Sequence, residues 1–351
     1  MKLLIPIAGL LIALNINSRA QVPADAFAKE CAGRVRDGQA SVRGDDPAWF
    51  FLNRELKQLG AGKFWEKDWA EIAANKSDPT PHMVKFNDLL KEKGVRLILV
   101  PVPVKAAIYP DKLAARFSPG NPLPLKGYFD ELRKQGVDVL DVEPDLNSHR
   151  AKTGGEGADK LYCEQDSHFA PLTAEIIAAE IKKKVAGEAW FDAQPKQAFK
   201  RSGKQALTIT GDQVKGAQLN PAPQGEVLTL TYAGKEVGGK IEPVAADQDS
   251  PVLLLGDSHT MVFTDGASTG MHCQGAGLQD QIQYELGFAI DRVANRGSGL
   301  VQARKSLVMM RVRSEPEFWD KKKLVVWVFS AREFTQSSDR LIDLPIEIPN
   351  K

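Results

Sequence analysis

The sequence predicts an α/β fold, with a mostly parallel central sheet and a small β-rich insertion. Three observations carry this expectation. Short apolar runs rich in branched side chains, at residues 96–100, 252–255 and 324–329, read as buried strands. Stretches with helical spacing of apolar residues lie between them. The run Pro251-Val252-Leu253-Leu254-Leu255 stops abruptly at Gly256-Asp257-Ser258-His259, the pattern of a strand leaving the sheet through a sharp turn. A serine at the carboxyl end of a parallel strand stands where open α/β sheets place their chemistry.

In chain order, residues 1–20 have the character of an export signal. Lys2 supplies a basic start, residues 3–14 are almost wholly apolar, and Ser18-Arg19-Ala20 sets small residues around a cleavage point after Ala20. The apolar stretch is short for a membrane span, so an uncleaved anchor is the weaker expectation. No later stretch is long and apolar enough to cross a bilayer, and the expected location is periplasmic or secreted. Residues 21–45 mix small, charged and glycine residues and read as a flexible leading segment before a catalytic domain at 46–345.

Trp49-Phe50-Phe51, followed by Glu55, Leu56 and Leu59, begins a mixed aromatic and helical pattern. The strand at 96–100 is expected to end at Pro101-Val102-Pro103. A helix over 128–135 precedes a short strand at 137–142. Residues 171–185 read as a helix: Pro171 suits its first turn, and Ile176, Ile177, Ala179, Ile181 and Val185 form an apolar side. Between 192 and 250 the character changes. Residues 207–210 and 227–231 are short β-like runs, punctuated by Gly211-Asp212, Asn220-Pro221 and Gly238-Gly239, which marks the insertion. Then follow the 252–255 strand, a helix over 278–293, a short helix over 302–309 and the 324–329 strand.

The chain carries 46 basic and 45 acidic residues, and removing residues 1–20 takes the net charge from +1 to about −1. With no basic, aromatic-interleaved tract, this balance excludes nucleic acid as a partner. The three cysteines, Cys31, Cys163 and Cys273, are too sparse for a disulfide-built fold or a cysteine zinc site. Cys163 lies three residues before Asp166 and Cys273 fifteen after Ser258. If those loops converge, a Cys163–Cys273 bridge would tie them together; buried free thiols are the alternative.

Serine is a poor nucleophile near neutral pH and needs a base within hydrogen-bond reach. His168, in Tyr162-Cys163-Glu164-Gln165-Asp166-Ser167-His168-Phe169, is the candidate base for Ser258, and Asp166 is the candidate acid that orients it. A helix would separate Asp166 and His168 by about 200°, so their backbone is expected to be extended or looped. Gly256 either permits the sharp turn or merely ends the strand. The Ser258 backbone N–H is a candidate oxyanion donor, and Arg296-Gly297-Ser298-Gly299 is a weaker one. Trp327 and Arg332 are candidate substrate contacts, for a sugar-like ring and a carboxylate; His259 is a candidate for shaping the pocket and a weak one for direct proton transfer, for which His272 is a remote candidate. A metal held by Asp166, His168 and Asp257 or His259 is chemically conceivable. No metalloprotease spacing supports it, and neither metal nor cofactor is expected.

These motifs resemble those of the AlgX/AlgJ-like family, SGNH-hydrolase-like proteins of polysaccharide O-acetylation, over about residues 45–345. Asp166-Ser167-His168 matches the family's Asp-x-His and Gly256-Asp257-Ser258-His259 its serine motif. The order matters, because ordinary secreted esterases of this kind place Gly-Asp-Ser first and Asp-x-x-His late. Looser matches are Trp49-Phe50-Phe51, preceded here by Pro47-Ala48 in place of Asp-Gly, then Pro103-Val104-Lys105 with Tyr109-Pro110, and Lys323-Leu324-Val325-Val326-Trp327. The resemblance implies a three-layer fold in which Ser258 accepts acetyl, His168 is base and acid, and Asp166 orients it. It also implies an acetyl donor or membrane-linked acetyl-supply protein, a polysaccharide acceptor, and secretion or biosynthesis machinery as partners. An acetylesterase, or a non-catalytic glycan-binding or secretion protein, is the competing expectation.

Overall fold

A computed structural model describes residues 23–217, 219, 221 and 223–347. The expected export signal at 1–20 lies outside these residues. Five parallel strands form the central sheet: β1 (Arg96–Val102), β2 (Asp138–Val139), β3 (Val252–Gly256), β4 (Asp291–Ala294) and β5 (Leu324–Ser330). Their order is β4-β3-β5-β1-β2, with Leu255 beside Trp327 and Trp327 beside Leu99. Strands β3 and β5 are wholly buried along their length, which explains their unbroken apolar sequence.

Helices cover both faces. On one, α1 (Thr80–Glu92) and α4 (Gln302–Leu307) meet over Trp327 through Phe86 and Arg304. The helices α2 (Pro171–Val185) and α3 (Leu278–Leu286) pack on each other. Right-handed crossovers between parallel strands put this second pair on the opposite face, giving three layers. Among the described residues, no helix is long and apolar enough to cross a membrane.

Four local expectations are corrected. Strand β1 runs through Pro101 to Val102. Val102 and Leu99 turn their carbonyls to β5 and towards β2 respectively, so Pro101 faces β2, which pairs only as far as Leu99. A missing N–H there breaks no ladder bond. The expected strand at 137–142 shrinks to two residues. The expected helix at 278–293 ends at Leu286, because Gly287 adopts φ +78°, and the residues beyond it form β4. Within the leading segment, Ala24–Arg34 is a helix that buries Phe27, Ala28 and Cys31 on one side, the i, i+4 spacing that anchors it to the core.

The 192–250 region forms an antiparallel pair, Gln205–Ile209 with Glu226–Leu230, and a three-stranded sheet of Lys200–Arg201, Ala233–Val237 and Lys240–Glu242. It is packed against the loop carrying Asp166. Glu226 accepts the backbone N–H groups of Glu164 and Gln165, each at 2.8 Å. A Cβ on Gly211 would lie 2.0 Å from the Gln165 carbonyl oxygen, so this close approach requires glycine.

Candidate active site

Strand β3 delivers the serine. Gly256 ends the strand, Asp257 caps a single 3-10 turn over Ser258–Thr260, and the Asp257 carboxylate accepts the His259 backbone N–H at 2.9 Å. A Cβ on Gly256 would lie 2.2 Å from the Val328 carbonyl oxygen. Gly256 is therefore required by space between β3 and β5, and its φ is not in the left-handed region. Asp257 is fully buried. Its other oxygen accepts the Ser330 backbone N–H, so one carboxylate staples the turn to the end of β5. Burial disfavours its charge, but His259, Arg332 and that N–H outweigh this and hold the carboxyl well below its ordinary range.

The acid and base sit on a tight loop between paired residues Tyr162 and Phe169, just before α2. Asp166 Oδ1 accepts the His168 backbone N–H at 3.1 Å, folding the three residues into a turn. The same oxygen lies 2.6 Å from His168 Nδ1, and His168 Nε2 lies 2.7 Å from Ser258 Oγ. Because a carboxylate only accepts, Nδ1 carries the proton and Nε2 offers its lone pair to the serine hydroxyl. Residues ninety apart in sequence thus form an acid–imidazole–hydroxyl chain, with Ser258 and His168 each 8% exposed.

Asp166 accepts four hydrogen bonds. Its second oxygen takes the Asp212 backbone N–H at 3.1 Å and His272 Nε2–H at 3.0 Å. Burial raises the carboxyl pKa, yet His168 and His272 more than compensate and place it well below its usual value. Burial also disfavours imidazolium at His168, but the facing Asp166 charge and hydrogen bond prevail and raise its pKa above the ordinary 6.5. Beneath the loop lies Lys105, which is fully buried. Its ammonium donates to the carbonyls of Phe50, Glu164 and Asp166 and to Gln213 Oε1. Burial lowers the Lys105 pKa against the attraction of Glu55 and neighbouring carboxylates.

The substrate-contact expectations fare differently. Trp327 is 0% exposed: its ring packs between Phe86 and Phe329 and its Nε1–H donates to the Gly299 carbonyl at 2.7 Å. It is a core residue, corrected from a sugar platform. Arg332 is 6% exposed and turned inward, with Nη1 3.4 Å from Glu55 Oε1, so it does not present a guanidinium to a ligand. His259 is 1% exposed, bonded to Asp257, and stacked edge-on against His168 at 5.0 Å. It forms the wall behind the base rather than a substrate contact. Burial lowers its pKa despite Asp257, favouring neutral imidazole there. The Cys163–Cys273 bridge is also corrected. Both thiols are free; Cys163 is fully buried and turned to the Phe169 carbonyl. The loop 296–299 follows Asn295, whose N–H bonds the Gly256 carbonyl, so it starts beside the end of the strand that leads to Ser258.

Sequence reading missed Asp212, whose carboxylate holds both the Ser167 N–H and hydroxyl. Its Gly211-Asp212 pair looked like plain turn punctuation. Asp166, His168 and Asp212 also bring ligand-type atoms within 4.8 Å of one another. Their hydrogen bonds to each other, to Ser167 and to Ser258 already direct those atoms elsewhere, so the set does not fit a metal centre.

Comparison with known proteins agrees with this architecture. Residues 42–331 match the family model described as SGNH hydrolase-like domain, acetyltransferase AlgX. The chain belongs to this AlgX family. It is 23% identical over 321 residues to the probable alginate O-acetylase AlgJ of Pseudomonas aeruginosa, spanning 86% of this chain and 73% of that protein. It is 26% identical to the alginate biosynthesis protein AlgX of Pseudomonas fluorescens, over 72% of this chain and 51% of that protein. The chain therefore spans about half the length of that relative. Its fold resembles the O-acetyltransferase domain of Pseudomonas putida AlgJ, with TM-score 0.59, 22% identity and coverage of 84% and 92% of the two chains. AlgX-family membership and the Ser-His-Asp cluster together support a general acyl-transfer or ester-cleaving role.

Proposed function

We propose that this AlgX-family protein transfers O-acetyl groups to an extracytoplasmic polysaccharide through an acetyl-Ser258 intermediate. The observation that supports this most is the continuous chain from Asp166 through His168 to Ser258, at 2.6 and 2.7 Å. Ser258 Oγ attacks the carbonyl of an acetyl donor as His168 Nε2 takes its proton. In this reading the Ser258 backbone N–H stabilises the developing oxyanion, and the Arg296–Gly299 loop, which follows Asn295 beside the same strand end, is a second source of donors. Collapse expels the donor's leaving group, which takes the proton from His168 and leaves acetyl on Ser258. A sugar hydroxyl then gives its proton to His168 and attacks the acetyl carbonyl, releasing the ester and restoring Ser258.

The printed descriptions of the relatives, alginate acetylation and biosynthesis, support a polysaccharide acceptor and exopolysaccharide biosynthesis as the setting. In this reading the donor, or a membrane-linked protein that supplies acetyl, meets the chain in the periplasm or outside the cell. Hydrolysis of the same intermediate by water would make the protein an acetylesterase instead.

The test is intact-mass analysis with an activated acetyl ester, then addition of candidate glycans. The expected result is a gain of one acetyl group that is absent in Ser258→Ala and discharged onto glycan. Discharge as free acetate alone, with glycan bound, replaces transfer by hydrolysis. Glycan binding that persists in Ser258→Ala with no adduct in the parent points to a non-catalytic protein.

A further inference from the structure

His272 stands at the centre of an uncommon piece of backbone. It is a non-glycine residue at φ +67°, and the Cys273 N–H bonds the Met271 carbonyl two residues back at 2.9 Å. That is a γ-turn of the rare positive-φ kind, which is strained for any side chain with a Cβ. Its imidazole is mostly buried, lies on the Phe263 ring at 5.4 Å, and donates Nε2–H to Asp166 Oδ2 at 3.0 Å. Phe263 is itself at φ +59°. Strain concentrated on two residues that together aim one ring at the acid calls for a reason.

The same segment is tied to the nucleophile. The Val262 N–H bonds the Ser258 carbonyl at 2.9 Å, and the Phe263 N–H bonds the Met271 carbonyl at 2.9 Å. A short path of hydrogen bonds therefore runs from Ser258, through Phe263 and Met271, to His272 and on to Asp166. The Asp166–His168 loop reaches Ser258 from the other side through the imidazole.

We infer that His272 is a positioning residue for the triad, a polar brace that locks Asp166 at a fixed distance and angle from Ser258 through the strained turn at Met271–Cys273. It does the work of tying the two catalytic loops together, one residue away from the cysteine expected to do so covalently. The inference rests on the acyl-transfer reading of this site. His272 touches no reacting atom; it keeps the Asp166 carboxylate plane set so that Oδ1 stays on His168 Nδ1. Without His272 the second oxygen keeps only the longer Asp212 backbone N–H bond, at 3.1 Å, so the carboxylate is freer to turn about its χ2 axis and the base loses part of its orientation.

The test uses the whole chain with His272→Gln, His272→Phe and His272→Gly. Gln keeps a donor near the Nε2 position, Phe keeps the ring packing without a donor, and Gly removes both while relieving the turn. The expected results are a fall of about tenfold in kcat for Phe and Gly with KM little changed, and recovery of most of it in Gln. The low-field proton resonance of the His168–Asp166 hydrogen bond should move in Phe and return in Gln. Losses of kcat that track losses of melting temperature, with Gln no better than Phe, overturn the inference. So does a low-field proton that is the same in all four proteins. If parent and Ser258→Ala prove equally unreactive to acetyl esters, it is the functional reading that fails, and the proton resonance still decides the role of His272.

Discussion

At the scale of single residues, the site is a set of proton positions dictated by acceptor chemistry. Asp166 receives four donors, so His168 must hold its proton on Nδ1 and meet Ser258 with a lone pair. Loss of the hydroxyl or the imidazole should each abolish most activity: Ser258→Ala and His168→Ala are expected to lower kcat by roughly a thousandfold or more. Their folding should be little affected, which a melting curve checks. The pH profile carries a signed expectation. In the proposed mechanism His168 works as a base only when neutral, and Asp166 raises its pKa above the ordinary 6.5. Activity measured as kcat/KM should therefore fall as pH drops, with its acid midpoint above 6.5. In Asp166→Asn the surviving activity should show that midpoint at lower pH, because the charge that favours imidazolium is gone.

At the scale of elements, the loop holding acid and base is not self-supporting. Lys105 at the end of β1 gathers its carbonyls from below, and the insertion closes on it from above through Glu226 and Asp212. The 192–250 segment thus contributes to geometry at the triad. Replacing Asp212 by alanine removes two hydrogen bonds to Ser167 but spares the backbone N–H on Asp166. Hydrogen bonds to a charged group contribute about 1.5–3 kcal/mol each, so a loosened loop should lower kcat by about tenfold. KM should change little, while the melting temperature should fall, because the same hydrogen bonds hold the folded loop. Gly211→Ala is the harsher test: its Cβ would meet the Gln165 carbonyl at 2.0 Å and must push the two segments apart. Activity should then fall further than in Asp212→Ala, together with the melting temperature.

At the scale of the whole molecule, burial charges and discharges side chains far from the triad. Burial pushes Glu143 up to about 8 and Asp280 and Glu333 to about 7. Each binds its proton more tightly folded than unfolded, so the stability it contributes is complete below its unfolded pKa and is lost as pH rises through these values. Asp166 and Asp257 have the opposite sign, and their contribution is lost only in strong acid. The melting temperature should accordingly decline between roughly pH 4 and roughly pH 8. Glu143→Gln, which keeps a neutral partner for Asn121, should show a shallower decline than the parent over that range. Equal slopes in the two proteins would remove Glu143 from this account.

The strands β1, β3 and β5, helix α2 and the three residues that meet as an acid–imidazole–hydroxyl chain were legible in the amino-acid sequence, because each rests on a local signal. Unbroken apolar runs have no stable place except a sheet covered on both faces, and Gly-Asp-Ser-His and Asp-Ser-His carry chemistry in consecutive residues. What only the tertiary structure decided is everything that depends on which distant groups are brought together. Trp327 reads equally well as a platform or as core, and the covering Phe86 and Arg304 made it core. Arg332 became an inward ion pair because Glu55 faces it across 277 residues. Asp212 read as turn punctuation and His272 as a remote candidate, yet 46 and 106 positions from Asp166 they complete its hydrogen bonds. Local pattern can specify an element and its chemistry, whereas the partner of a polar side chain is set by the packing of the folded chain.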